Sequence, residues 1–553
     1  MLKDDLKSLI QGDVIDEKET LEKFSHDASI FEVKPEIVVA PKDSEDVKNI
    51  VKYVRENEGY SITPRSGGTC MSGGPLGESI VLDMVKYMNG VEDVVFPEKD
   101  KGEDEAPYAS VLPGTYYRDF DKETKRRSLM MPSYPASREI CTVGGMVGNN
   151  AGGEKTPVYG KTEDYIKALK VVLSDGNEYI FKALEKEELE AKMKLVNFEG
   201  EVYKKMYELL QESKDLIASA KPKVSKNSAG YYLWNVWDGK TFDLTKLFVG
   251  SQGTLGVITD ITFRLVPVKP ASRLLVIFLK DISHIGELVV ELKKYSPETI
   301  ESYDDKTFKL GIKFLPQMIK LLHGRGGLIS KMFNLFPELM MAVKGGIPKM
   351  VIMSEFTGEK DEEVLEIAQQ AELAIKKFSK NTHITQSKDE EEAFWIFRRE
   401  SFNLMRNKIK DRHTAPFIDD FAVLPEYLPE FLPKVDEILN QYPGLVYGVM
   451  GHPGDGNFHI VPLMNLEEES QRSIIPRLSD QIYNLVLEYK GTITAEHNDG
   501  LIRTPYLEKM YGKEVTELFS KTKKIFDPKN IFNPRKKVNP DLPFALSHIR
   551  KSF

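Results

Sequence analysis

Short apolar runs alternate with amphipathic segments along most of the chain, and their order predicts a mixed α and β protein. Residues 1–30 read as an amphipathic helix and a polar linker. Ile37-Val38-Val39-Ala40 is a short apolar strand, and Pro41-Lys42-Asp43-Ser44 signals a helix start. Val47, Ile50, Val51 and Val54 then fall on one helical face. A strand at 61–64 completes a β-α-β opening, and residues 79–83 add a third strand. Residues 166–182 predict a hairpin with Asp175-Gly176 at the turn. Leu247-Phe248-Val249 and the strand pattern of 257–263 bracket a glycine-rich turn. Beyond Pro267 the pattern changes. A strand at 274–279 is followed by Ile282, Ile285, Leu288, Val289 and Leu292 at helical spacing. The unit recurs as a strand at 350–356 and a helix marked by Val364, Ile367, Ala368, Ala371 and Ile375. Two such units predict a second α+β domain with helices on one face of an antiparallel sheet. Between them, 308–345 is helical, apolar and basic: domain-packing helices are the favoured reading, a membrane-surface or partner patch the other. The charged run 98–105 reads as a solvated loop tip. From about 480 the chain is helical again and ends in loops around Asp527-Pro528 and Asn533-Pro534.

Composition narrows the function classes. With 41 % apolar and 29 % charged residues in 553, the chain is neither disordered nor collagen-like and can bury a large core. The 85 acidic side chains exceed the 76 basic ones, which argues against a general nucleic-acid binder. Two cysteines, Cys70 and Cys141, exclude a disulfide scaffold and favour the cytoplasm. They also exclude an iron–sulfur cluster held within this chain, which takes about four thiolates. The N-terminus lacks the apolar run of a signal peptide, and no stretch approaches the roughly 18–20 apolar residues of a membrane span. The expectation is a soluble chain, at most peripheral at the inner face of a membrane.

Four motifs carry chemistry. Pro64-Arg65-Ser66-Gly67-Gly68-Thr69, with Met71-Ser72-Gly73-Gly74 behind it, joins two strands and lets backbone N–H groups approach an anion; an elaborate turn is the other reading. Residues 144–153 hold five glycines among Val, Met and Asn, a poor composition for a linker and a good one for cradling a flat or phosphorylated ligand. Gly250-Ser251-Gln252-Gly253-Thr254-Leu255-Gly256 again sets glycines before a strand. None matches the G-x-G-x-x-G dinucleotide fingerprint, and there is no Walker A loop. The fourth motif is Gly451-His452-Pro453-Gly454-Asp455-Gly456-Asn457-Phe458-His459 with Ala495-Glu496-His497-Asn498-Asp499-Gly500. Three of nine histidines fall in these two segments. A hairpin brings His452 and His459 together, and with Glu496 they make a standard ligand set for Zn, Mn or Fe. A turn histidine bonded only to backbone is the plainer reading of any one of them.

Together these motifs, in this order over about 30–540, resemble the FAD-dependent D-2-hydroxy-acid dehydrogenases, which share the FAD-binding fold of vanillyl-alcohol oxidase. The resemblance implies an α+β chain: an N-terminal helix and linker at 1–30, an FAD-binding domain of two α/β subdomains at 31–269, an antiparallel-sheet substrate or cap domain at 270–479, and a C-terminal helical segment at 480–553 returning to the FAD domain. It implies that Arg65, Ser66, Gly67, Gly68, Thr69, Ser72 and Gly73 hold the FAD diphosphate. Thr142, Gly144, Gly145, Gly148, Asn149 and Gly152 would line the isoalloxazine and ribityl chain, with Gly253 to Ile258 closing over them. His452, His459 and Glu496 match the metal ligands, His497 the base, and Arg398 the arginine for the substrate carboxylate. FAD would be non-covalent. The expected reaction oxidises a D-2-hydroxy acid, D-lactate before D-2-hydroxyglutarate or glycolate, and passes electrons to an iron–sulfur subunit, an electron-transfer flavoprotein or a quinone; an oligomer is compatible with this. The alternatives are a non-catalytic FAD-binding subunit or a flavoenzyme of the same fold with another substrate. Three positions depart from the family pattern: Gln252 replaces Glu, Arg535 follows Asn533-Pro534 in place of Gly, and Ile418 stands where some members have Lys.

Overall fold

The computed structural model describes residues 2–97, 106–313, 346–408 and 412–551. The expected loop tip at 98–105 and nearly all of the segment 308–345 lie outside the described residues.

Three main sheets carry the fold. The first runs in the order Asp13–Ile15, Ile37–Ala40, Ile80–Asp83, Ile62–Arg65. The two strands of the β-α-β opening each pair in parallel with Ile80–Asp83, which lies between them. Helix Ser44–Glu56 joins them, capped by Asp43 and burying Val47, Ile50, Val51 and Val54. The N-terminal segment differs from the expected helix and linker. Helices Leu2–Leu9 and Lys18–Phe24 flank Asp13–Ile15, which adds antiparallel to Ile37–Ala40. Three residues are too few to show alternation; the open edge of the neighbouring strand makes this one.

The second sheet is antiparallel, in the order Val91–Val95, Tyr108–Val111, Val257–Arg264, Ile166–Val172, Glu178–Lys182. Its last pair is the predicted hairpin, and Gly176 takes φ +79 at the turn, where a side chain would be strained. Leu247-Phe248-Val249 does not extend but closes one helical turn, Thr245–Phe248.

The third sheet is antiparallel and eight-stranded. Its path runs Thr382–Ile384, Ala271–Leu279, Met350–Gly358, Thr299–Asp304, Val446–His452, Asn457–Met464, His413–Thr414, and the eighth strand, Phe421–Ala422, pairs with Asn457–Met464 off this path. Helices lie on both of its faces, not on one. Leu275, Ile277 and Leu279 pack against helices Ile285–Lys293 and Asp361–Ile375. Leu274, Val276 and Phe278 face the other way, onto Phe308, Phe394, Trp395 and Phe397. The unbroken apolar run of 274–279 needs this, since a strand alternates its side chains and each large apolar one gains about 1.5–3 kcal/mol by burial.

The chain's end returns to its beginning. After helix Leu507–Phe526, Phe532 bridges Ile62 in parallel on the free side of the first sheet. Asn533 donates to the carbonyls of Gly74 and Gln252, tying the tail to two glycine-rich loops. Arg535 takes φ +67, a conformation glycine adopts freely, and is held there by Glu78 at 2.7 Å and by stacking on Phe544. Among the described residues no helix is long and apolar enough to cross a membrane.

Candidate functional site

The three glycine-rich loops meet in one cleft. Ser66, Gly67, Gly68 and Thr69 line it from the first loop, Thr142, Gly144, Gly145, Gly148 and Asn149 from the second, and Gly253 and Ile258 from the third. The second loop folds as helix Val143–Asn149. A Cβ on Gly145 would meet only Ser66 and Thr142 at ordinary contact, and one on Gly148 only Gln252 at 4.0 Å. Packing within the protein therefore does not demand glycine at these two positions. The bare wall they leave on the cleft fits a large planar cofactor such as FAD.

Four predicted cofactor residues stand elsewhere. The Arg65 guanidinium donates to the carbonyls of Phe24 and His26 and lies 5.0 Å from the Phe24 ring, so it is spent on clamping the end of helix Lys18–Phe24. Ser72 is buried against Gln252 and Cys70. Gly73, at φ +80, abuts Phe31. A Cβ on Gly152 would meet Thr156 and come within 3.9 Å of Glu496, on the side of the histidines.

Strand register builds the histidine cluster. Met450 pairs with His459 and His452 with Asn457, so His452 and His459 share a face of the third sheet. Ser302 pairs with Gly451, which sets Glu301 opposite His452 on that face. Ala422 bridges Thr492, and Ala495 N–H donates to the Asp420 carbonyl, delivering Glu496 and His497 alongside. The Asp420 carboxylate then accepts from the N–H groups of Glu496 (2.9 Å) and His497 (2.6 Å) and from the Thr494 hydroxyl.

Three imidazole Nε2 atoms converge on Glu496 Oε1: His452 at 3.3 Å, His459 at 3.4 Å and His497 at 3.8 Å. Their Nδ1 atoms are committed behind them. His459 Nδ1–H donates to the Asp419 carbonyl at 2.6 Å, His497 Nδ1–H to the Asp419 carboxylate at 2.8 Å, and His452 Nδ1–H to Glu301. A carbonyl only accepts, so His459 carries a proton on Nδ1, and its neutral ring turns a bare Nε2 to the site. The His459 and His497 rings stack with centroids 5.0 Å apart. Asp420, His459, Glu496 and His497 also offer ligand atoms within 4.8 Å of one another. Asp420 is the weaker candidate, because its carboxylate is spent on four hydrogen bonds, two from backbone N–H groups and two from the Asn457 and Thr494 side chains. The donor set of His452, His459 and Glu496 fits a divalent metal.

Charges behind this layer set its protonation. Burial disfavours a charged His452, but Glu301 prevails and the ring is raised to about 8. His497 is likewise raised to about 9, against burial, by Asp420 and Asp419. Burial would lift Glu496; Lys226 and His452 outweigh it and hold its carboxyl well below the usual range. Lys226 is wholly buried and donates to Glu496 Oε2 at 3.0 Å. Asp419 also pairs with Arg503.

The arginine expected to meet substrate is already engaged. Arg398 pairs with Glu301, the same carboxylate that holds His452, and its buried Nε has no partner. Arg399 instead reaches Glu154 at 3.3 Å and lies outside the cluster. Ile418 is fully buried in the apolar core. Sequence reasoning missed Lys226, Glu301, Asp419, Asp420 and Arg503. Only Asp419-Asp420 carried a signal, two acids in the apolar run of 415–423. Cleft and cluster adjoin: Asn498 donates to the carbonyls of Asn149 and Gly250, and Gln252 Oε1 accepts from Gly500 N–H at 2.8 Å while its amide donates to Asn149.

Known proteins give the same picture. A family model described as FAD binding domain matches residues 35–181, and one described as FAD linked oxidases, C-terminal domain, matches 268–537. The chain is 26 % identical over 524 residues to D-2-hydroxyglutarate dehydrogenase of Pseudomonas putida, covering 93 % of this chain but 49 % of that protein; it spans about half the length of that relative. It is 27 % identical over 505 residues to D-lactate dehydrogenase of Archaeoglobus fulgidus, covering 91 % of each. It is 26 % identical over 533 residues to glycolate oxidase subunit GlcD of Bacillus subtilis, covering 94 % of this chain and 92 % of that one. Among solved structures, 4-ethylphenol oxidase from Gulosibacter chungangensis matches with a TM-score of 0.67 at 15 % identity, over 96 % of this chain and 95 % of that one. That likeness shows the fold, the p-cresol-methylhydroxylase type of FAD-binding fold. The two matched models lie in order along the cleft and the sheet that carries the histidines, so the chain joins an FAD binding domain to a C-terminal domain of the FAD linked oxidases, and over nearly its whole length it is similar to D-2-hydroxy-acid dehydrogenases.

Proposed function

We propose that this chain oxidises a D-2-hydroxy acid to the 2-oxo acid, D-lactate before D-2-hydroxyglutarate or glycolate, and hands the electrons to a separate acceptor. The observation that carries the reading is the convergence of three imidazole Nε2 atoms on Glu496 Oε1 beside a glycine-walled cleft. FAD, when bound, supplies a hydride acceptor, and a divalent metal (Zn, or Mn or Fe) held by His452, His459 and Glu496 supplies a Lewis acid and an opposing charge that lowers the His497 pKa. His497 takes the hydroxyl proton at Nε2. Asp419, fixed by Arg503, holds the ring so that this nitrogen faces the cluster and stabilises the imidazolium once formed. Arg398 offers its unpartnered Nε to the substrate carboxylate, which fixes the face of the carbon that is presented. Ile418 in the core and Arg399 paired with Glu154 leave neither to take a second carboxylate, which favours lactate over hydroxyglutarate. Two cysteines provide no cluster for onward electron transfer, so an iron–sulfur subunit, an electron-transfer flavoprotein or a quinone completes the cycle.

The test is anaerobic bleaching of the flavin band by D- and L-lactate, D- and L-2-hydroxyglutarate and glycolate, with and without chelator. Bleaching by one D-acid, lost with chelator and restored by a divalent metal, is expected. His497→Asn is expected to slow it about 10²–10⁴-fold with FAD content unchanged. No bleaching by any hydroxy acid in a protein that holds FAD would remove the reading in favour of a non-catalytic subunit or another substrate class.

A further inference from the structure

We propose that Lys226 is the resident cation of the histidine cluster: it neutralises the site when no metal is held, so that the fold stands without metal, and by the same charge it weakens the hold on a metal. The inference rests on reading His452, His459 and Glu496 as metal ligands.

The Lys226 side chain is 0 % exposed, and its ammonium makes three contacts. It lies 3.0 Å from Glu496 Oε2, 3.4 Å from Asp455 Oδ2 and 3.2 Å from the Gly153 carbonyl. These partners come from the three motifs that build the site: the AEHNDG segment, the turn after His452, and the end of the second glycine-rich loop. Glu496 is thereby divided. One oxygen belongs to the lysine and the other faces the three imidazoles, so the carboxylate can offer a metal a single oxygen.

Charge explains why a lysine is there. Glu301, Asp455 and Glu496 are all buried, and Arg398 compensates the first. Among the described residues, Asp455 otherwise accepts from the Ser225 hydroxyl, at 2.7 Å. Lys226 is the ammonium that serves both remaining carboxylates. A buried charge that loses its partner is strongly destabilising, so a chain without this lysine needs another cation at the same place. A dication on Glu496 Oε1 is that cation. In the native chain the two cations share one carboxylate in a low-dielectric setting and repel, which costs the metal affinity.

The experiment uses the FAD-loaded full chain, native and Lys226→Met, each stripped with chelator. Mn²⁺ is titrated by calorimetry, and the thermal midpoint is read with and without saturating Mn²⁺. The stripped variant is expected to melt below the stripped native protein. Mn²⁺ is expected to raise its midpoint more than it raises the native one, and to bind at least about tenfold tighter, which is about 1.4 kcal/mol. Equal Mn²⁺ affinity and equal midpoint shifts in the two proteins overturn the proposal. Recovery of folded Lys226→Met only from Mn²⁺-supplemented growth supports it. If the single variant does not fold at all, Lys226→Met/Asp455→Asn removes one charge of each sign. It is expected to fold when stripped and still to bind Mn²⁺ more tightly than the native chain; native-like affinity in the folded double variant overturns the proposal. Failure of the native protein itself to bind Mn²⁺ or Zn²⁺ sinks the metal reading and the proposal with it, whereas native binding with an unaltered variant sinks the role of Lys226 alone.

Discussion

A histidine has no directed chemistry until its other nitrogen is spoken for. His452, His459 and His497 each commit Nδ1 to a carboxylate or a carbonyl and turn Nε2 toward Glu496. The residue with the widest reach here is Glu301. It joins the His452 ring to the Arg398 guanidinium through a single carboxylate. Glu301→Gln keeps the shape and removes the charge, so His452 becomes a poorer donor and Arg398 loses its counter-ion. Metal affinity measured by titration is expected to fall about 10–100-fold. An unchanged affinity would show that His452 does not ligate.

At the scale of an element, helix Val143–Asn149 is the wall on which the cleft depends. It is a poor helix by propensity, with three glycines in seven residues. It survives because Val143, Met146 and Val147 bury one side while Gly145 and Gly148 leave the other bare. The two demands separate cleanly at Gly148, whose backbone is helical and whose Cβ direction is open. Gly148→Leu is therefore expected to fold, with an apo thermal midpoint within about 3 °C of the native one, yet to be purified with little FAD. Normal flavin content in that variant would place the cofactor elsewhere.

At the scale of the molecule, buried charge joins the cleft-bearing part of the chain to the large sheet. Lys155 meets Glu298 at 3.2 Å and Arg399 meets Glu154. Glu355 lies among Glu298, Glu154 and Glu391, and burial with these acids, against Lys155, pushes its carboxyl up to about 8. Between the ordinary carboxylate range and about 8 the folded chain keeps a proton that the unfolded chain has lost, so stability falls as pH rises through that window. The native thermal midpoint is expected to drop between about pH 5 and about pH 8.5, and Glu355→Gln is expected to shrink that drop by several degrees. An identical pH dependence in the two proteins would remove Glu355 as its source.

The local pattern was enough for the β-α-β opening, the hairpin around Asp175-Gly176, the two strand–helix units and the segments that hold the histidines. Each of these depends on neighbours in the chain: an apolar face at helical spacing, a turn residue, a glycine where the backbone needs room. The strand Asp13–Ile15, the helices on the second face of the large sheet and the true partners of Arg65 and Arg398 were decided only in three dimensions. An edge strand exists where another strand offers a free edge. An arginine goes to whichever carbonyl or carboxylate the fold buries beside it. Lys226 and Glu301 reach the cluster from positions 270 and 151 residues away from Glu496 and His452 in sequence. No spacing rule spans such distances, because packing and charge compensation, not periodicity, bring those groups together.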